Sequence, residues 1–210
     1  MQQRSNTPRG RPRDPLLRGR ILKSAREQFL TYGASVSLDA IAQAARTSKV
    51  TLYRYFQSKE DLFIAMLSEE VETSFQFAVD QLDPNRPSEA LLSVGLAYLN
   101  LTSSNEIIAQ MRILYSTALN IDKVAASFFT SGPQALTIYL AGYLARVPHL
   151  RIVDAHLAAE QFLSMVRGNE QIRGLLGLPP CREGAKRRSY VEACVAVFMH
   201  GYFSGPLTSP

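Results

Sequence analysis

Apolar side chains recur every three to four positions through most of the chain, the period of helices with one face in a core. Ile21, Leu22, Ala25, Phe29 and Leu30 form the first stripe. Asp14-Pro15 predicts its start, an N-cap followed by proline at the first helical position. Tyr32-Gly33 predicts its stop, because glycine takes the left-handed turn that ends many helices. Leu38, Ile41, Ala42 and Ala45 form a second, shorter stripe. The polar group Arg46, Thr47 and Ser48 interrupts it, and the Ser48 hydroxyl is free to cap the next helix. There Leu52 and Phe56, four apart, point inward, leaving Lys49, Thr51, Tyr53, Arg54 and Tyr55 to point elsewhere. Ser58, with Asp61 three residues on, opens a long helix carrying Leu62, Phe63, Met66, Leu67, Val71 and Phe75. That helix is expected to end near Leu82, before the proline-containing break 83–87.

The remainder repeats the helical pattern over 88–101, 105–119, 122–130, 134–147, 153–167 and 186–203. Gly132-Pro133 must break or kink the chain, since proline lacks an N–H and clashes with the preceding turn. A loop is expected through Leu178-Pro179-Pro180. No alternating Val/Ile-rich run argues for a strand. The expectation is an all-α protein of about nine helices: an arm over 1–13, a three-helix unit over 14–62, and a larger helical unit over 63–210.

Charge divides the chain in the same way. The net charge is +5, but residues 1–62 hold 12 basic and 5 acidic side chains, a net of +7, and the rest holds a net of −2. That is the footprint of a polyanion-binding module on a near-neutral body. A membrane-surface helix would need a spare apolar face, and this basic region needs its apolar face for its own core. No apolar run approaches the roughly 18 residues of a membrane span. The polar N-terminus lacks the apolar stretch of a signal peptide, so a cytoplasmic protein is expected. Cys181 and Cys194 are too few for a disulfide framework or a zinc site and are read as two reduced thiols. His149, His156 and His200 are isolated, and no phosphate-binding glycine loop is present. Asp154 and Glu160 stand six apart, roughly 120° out of line on a helix. No enzyme, cofactor or metal is expected.

A short helix crowded with donors and aromatics, preceded by a polar turn, matches a helix-turn-helix, whose second helix enters the DNA major groove. Residues 17–63 resemble the DNA-binding domain of the TetR/AcrR family of bacterial regulators. The resemblance runs through Ile21-Leu22, Ala25, Phe29, Tyr32-Gly33, Ser37, Ile41-Ala42, Ala45, Ser48-Lys49, Thr51-Leu52-Tyr53, Tyr55-Phe56, Ser58-Lys59-Glu60 and Leu62. Arg46 and Thr47 depart from a more usual Gly-Val, and Val50 from a frequent Gly. A non-glycine residue in a left-handed turn costs about 1 kcal/mol, so Arg46 puts such a turn in question while adding charge toward the DNA. The resemblance implies that Thr51 and Tyr53 touch bases and phosphates, with Tyr55 close behind and Lys59 aimed at a phosphate. Lys49 and Arg54 are donors for guanine edges or backbone, and Ser37, Thr47 and Ser48 complete the expected DNA-binding set. For Tyr53 and Tyr55, packing inside the small unit is the competing reading.

The arm holds Arg9, Arg11 and Arg13 in a Pro-Arg-Gly-Arg-Pro-Arg run similar to an AT-hook core. Such arginines suit a narrow A·T-rich minor groove; a solubilising tail in loose contact with phosphates is the other reading. The body resembles the C-terminal domain of AefR-like members. Phe75, Met111, Tyr115, Phe128, Phe129, Tyr139, Tyr143 and Phe162 are expected either to line a pocket for a small apolar effector or to be plain core. The resemblance implies homodimerisation through helices near 153–167 and 186–203, by Leu157, Ala158, Gln161, Phe162 and Met165 with Tyr190, Ala193, Val197, Phe198, His200 and Tyr202. The expected function is a repressor on double-stranded DNA, released from a palindromic operator by the effector. The alternative is an architectural, effector-independent DNA-binding protein.

Overall fold

A computed structural model describes residues 14–71, 79, 81–118 and 122–202. No β-strand occurs among them. The chain forms two compact units, 1–63 and 64–210, and the division falls inside one helix, between Phe63 and Ile64.

The first unit, the head, holds α1 (Pro15–Tyr32), α2 (Leu38–Ala44), α3 (Lys49–Tyr55) and the start of α4 (Lys59–Val71). Its helix starts are set by short polar side chains. The Asp14 carboxylate accepts from Leu16 N at 2.9 Å, Ser37 Oγ from Ala40 N at 3.1 Å, and Ser48 Oγ from Thr51 N at 3.1 Å. Each satisfies a backbone donor that has no partner within the helix. Gly33 ends α1 at a φ of +63°, its N–H returning to the Phe29 carbonyl. Ile21, Leu22 and Phe29 of α1 are buried with Ile41, Leu52 and Phe56. Phe63 meets Phe29 edge to face at 4.9 Å. Truncating such a residue to alanine costs about 3–5 kcal/mol, which makes Phe29→Ala the substitution that would undo the head.

The second unit, the body, holds α5 (Pro87–Thr102), α6 (Asn105–Ala118), α7 (Asp122–Phe129), α8 (Ala135–Leu144), α9 (Ala155–Arg167), α10 (Glu170–Leu175) and α11 (Ala185–Tyr202). Its core is built from α5, α8, α9 and α11, with Leu91, Leu99, Leu140, Phe162 and Val191 all at or near zero exposure. Phe162 stacks edge-on against Phe198 at 5.2 Å. Where α5 crosses α11, a Cβ on Gly95 would stand 2.5 Å from Val191 Cγ1, so only glycine allows that approach.

Two features differ from the pattern read in the sequence. Gly132-Pro133 does not separate two helices: α7 passes into α8 through a single π-helical turn, Thr130–Gln134, with helical dihedrals on either side. The wider turn accommodates the proline ring and its missing N–H without unwinding the chain. The stretch after α9 contains the short helix α10, anchored by Glu170. That carboxylate is 2% exposed and accepts from Cys181 Sγ at 2.7 Å, Cys181 N at 3.3 Å and Arg182 Nη1 at 3.0 Å. Burial works against its charge, yet the Cys181 and Arg182 hydrogen bonds hold its pKa below the ordinary value. Six residues are too few to print a helical period.

Candidate nucleic-acid interface

Leu52 and Phe56, at 0% and 5% exposure, fix α3 in the head like two pegs. The opposite face therefore points to solvent and carries Lys49, Val50, Tyr53 and Arg54, with Thr51 half-buried beside them. Val50 is 75% and Tyr53 46% exposed. The turn before α3 closes as a left-handed bend at Arg46, whose φ is +51°, with Arg46 N donating to Gln43 O and Thr47 N to Ala42 O. The expected conflict between a non-glycine residue and this bend is thus borne by Arg46 itself, and its exposed side chain stands at the turn.

The structure divides the expected DNA-binding residues into presented and occupied groups. Arg46, Tyr53 and Arg54 are exposed. Ser37 and Ser48 are exposed N-caps; each accepts a helix N–H, and the Ser48 and Thr51 hydroxyls lie 2.8 Å apart. Thr47 is half-buried in the turn. Lys49 is not free: its ammonium donates to Asp39 of α2 at 2.7 Å. That hydrogen bond, and the charge behind it, raise its pKa. Lys59 also has partners within the head. Its ammonium donates to Ala34 O at 2.6 Å and Val36 O at 3.1 Å, tying the loop before α2 to the start of α4. Tyr55 is half-buried, its ring beside Phe56 and its hydroxyl accepting from Asp14 N at 2.8 Å while reaching Asp14 O at 3.3 Å. It clasps the first described residue, the one that follows the basic arm. Arg9, Arg11 and Arg13 lie outside the described residues. Arg20, which the sequence did not single out, donates to Ala45 O at 3.0 Å and ties α1 to the end of α2.

The expected effector-lining residues differ in burial. Tyr143 and Phe162 are fully buried in the body's own core, and the Tyr143 hydroxyl donates to Asp83 O at 3.1 Å. Burial raises that phenol's pKa to about 12. Met111 is buried, Tyr139 packs on the core from its edge, Phe128 is half-buried, and Tyr115 is exposed. Phe75 lies outside the described residues. Of the described members of the set, Phe129 alone lines a cavity of about 390 Å3 between α5, the π-turn, α8 and α9. The sequence reading missed the polar half of this cavity, which comes mainly from α9: His156, Glu160, Ser164 and Arg167. Their spacing of four, four and three was visible as one helix face, but nothing local distinguishes it from a solvated one.

Of the residues expected at a dimer interface, Ala158, Phe162 and Phe198 are buried in the body, whereas Leu157, Gln161, Ala193, Val197 and His200 are exposed. Met165 and Tyr190 are half-buried, joined by the Tyr190 hydroxyl donating to Met165 O at 2.6 Å, and the Tyr202 hydroxyl bonds Gln161. No helix among the described residues is long and apolar enough to cross a membrane.

Comparison with known proteins agrees with this geometry. Residues 21–66 match the family described as bacterial regulatory proteins, tetR family, and residues 89–204 match the AefR-like transcriptional repressor C-terminal domain. Two uncharacterized HTH-type transcriptional regulators of Mycobacterium tuberculosis, from strains CDC 1551 and H37Rv, are each 34% identical over 99 residues. That match covers 46% of this chain and 49% of theirs, about half the length of these curated relatives. The solved structure of the flavonoid-responsive regulator FrrA is 31% identical, covering 93% of this chain and all of that one, with a TM-score of 0.71. A TetR-family regulator from Mesorhizobium loti, 18% identical over 90% of this chain and 98% of its own, shares the fold at a TM-score of 0.78.

Proposed function

The chain belongs to the TetR family of bacterial regulatory proteins, a family of regulators and not of enzymes, and from that premise we propose that it is a homodimeric DNA-binding repressor released by a small apolar effector. The observation that carries the reading is α3, pegged by Leu52 and Phe56 and presenting Val50, Tyr53 and Arg54 outward. In a two-fold dimer two such helices meet successive major grooves of a palindromic site. The exposed Leu157 of α9 and Val197 of α11 supply apolar area for pairing with a second copy. The basic arm follows the DNA from the point where Tyr55 holds Asp14, and its arginines enter the flanking minor groove.

The body acts by population shift: an effector that binds better to a conformation with the wrong head spacing lowers DNA affinity by the ratio of its two affinities. The response of FrrA to flavonoids supports an aromatic effector here as well.

The test is a titration of the DNA upstream of the protein's own gene, by fluorescence anisotropy at several salt concentrations. The expected result is salt-dependent binding that prefers this DNA to random duplex, with one protein dimer per palindrome. Equal binding to both duplexes at every salt concentration would sink the repressor reading and favour an architectural role.

A further inference from the structure

The cavity between α5, the π-turn, α8 and α9 carries opposite charges at its two ends. On α9, Glu160 and Arg167 are seven residues apart, so they lie on one face with about 10 Å between them along the axis. Ion pairs on a helix form between residues three or four apart, so two turns keep these charges from neutralising each other. Neither has an ion pair or side-chain hydrogen bond within the described residues. Arg167 is half-buried and stands at the wall of the cavity.

The remaining walls say what lies between the ends. Leu163 stands between the two charges on α9, and Phe129, Pro133 and Ile138 line the same cavity from the end of α7, the π-turn and α8. Beside Arg167, Tyr98 of α5 is buried; burial raises its pKa, with the Arg167 charge working against that rise. It therefore keeps its proton at neutral pH. The Arg167 end offers a cation to an anion, and the Glu160 end offers an acceptor to a hydroxyl. The middle is an apolar slot.

Resting on the reading of the body as an effector-binding domain, but replacing a wholly apolar effector by one with two polar ends, we propose that this cavity binds a flat aromatic acid with a ring hydroxyl at its far end, the carboxylate on Arg167 and the hydroxyl donated to Glu160. A rigid ring of this length spans the slot without the ordering cost that a flexible chain meets on binding.

The test is calorimetry on the full chain with 4-hydroxycinnamate and three probes: cinnamate, which lacks the ring hydroxyl; 4-vinylphenol, which lacks the carboxylate; and 8-hydroxyoctanoate, which has both polar ends on a flexible chain. The expected result is that 4-hydroxycinnamate binds roughly tenfold or more tighter than each. Glu160→Ala, at an exposed site, should erase the preference over cinnamate alone, and Arg167→Met the preference over 4-vinylphenol alone. Arg167→Lys, which keeps the charge and the fold, should retain part of the latter. Equal binding of all four probes, or preferences untouched by the substitutions, overturns the proposal. Binding of the upstream DNA by the same preparation is measured in parallel. Selective DNA binding without these ligand preferences defeats the cavity assignment alone. The ligand preferences without selective DNA binding defeat the repressor reading and leave the cavity chemistry standing.

Discussion

Asp39 of α2 occupies the ammonium of Lys49 at the start of α3. The two groups meet at 2.7 Å on the surface, with side-chain exposures of 64% and 47%. The hydrogen bond and charge of Asp39 raise the Lys49 pKa, so the ammonium is charged throughout the physiological range with or without its partner. Replacing Asp39 by alanine therefore leaves the cation in place, frees its donors and removes one negative charge from each head. Because the pair is exposed, the fold is little disturbed. Each added phosphate contact steepens the plot of log affinity against log salt by about 0.9. Two heads give about 1.8, which at 0.1 M salt corresponds to affinity tens of times that of the parent, the two curves converging near 1 M. The gain should be the same on random duplex as on the upstream DNA, since phosphate contacts carry no sequence information. Anisotropy titrations of both duplexes across salt concentrations read the slope directly. An unchanged slope refutes the reasoning, because it means Lys49 already exchanges Asp39 for phosphate when DNA arrives.

Three further outcomes are expected. Gln110 is fully buried with neither side-chain amide atom hydrogen-bonded among the described residues, so Gln110→Met, of similar shape, should stabilise the protein by about 1–3 kcal/mol. That raises the Tm by several degrees at fixed protein concentration, and a fall in Tm would show that the amide is satisfied in solution. Val50 holds its methyl groups out from α3 at 75% exposure, suited to a thymine methyl; Val50→Ala should weaken preference at one A·T position by about 1 kcal/mol in a base-by-base binding scan. The salt slope should stay the same. Tyr55→Phe removes the hydroxyl that clasps Asp14 and should weaken DNA binding in the full chain. It should have no effect in a chain lacking residues 1–13, and an equal loss in both would mean that Tyr55 itself touches DNA.

The helices of the head were legible because the information for each is local. Asp14, Ser37, Ser48 and Ser58 stand two or three residues from the N–H groups they cap, and Leu52 and Phe56 declare their inward face by being four apart. The body's longer helices were legible for the same reason. The π-turn and α10 were not, since one is a local widening whose effect depends on packing and the other is shorter than two turns.

Side-chain use followed a different rule. Asp39 reaches Lys49 across 10 positions, Lys59 reaches Ala34 across 25, and Tyr55 reaches Asp14 across 41. These partners meet only when helices pack, so no short window of sequence contains both. The same holds for Tyr143 and Phe162, which have a pocket residue's chemistry but became core because α5, α9 and α11 closed around them. By itself, then, the sequence determined where the helices of the head begin and that the basic third carries a helix-turn-helix, because capping and periodicity act over three or four residues. Tertiary packing decided which lysines and tyrosines remain outward and which stripe of α9 faces a cavity, because those outcomes depend on segments brought together from far along the chain.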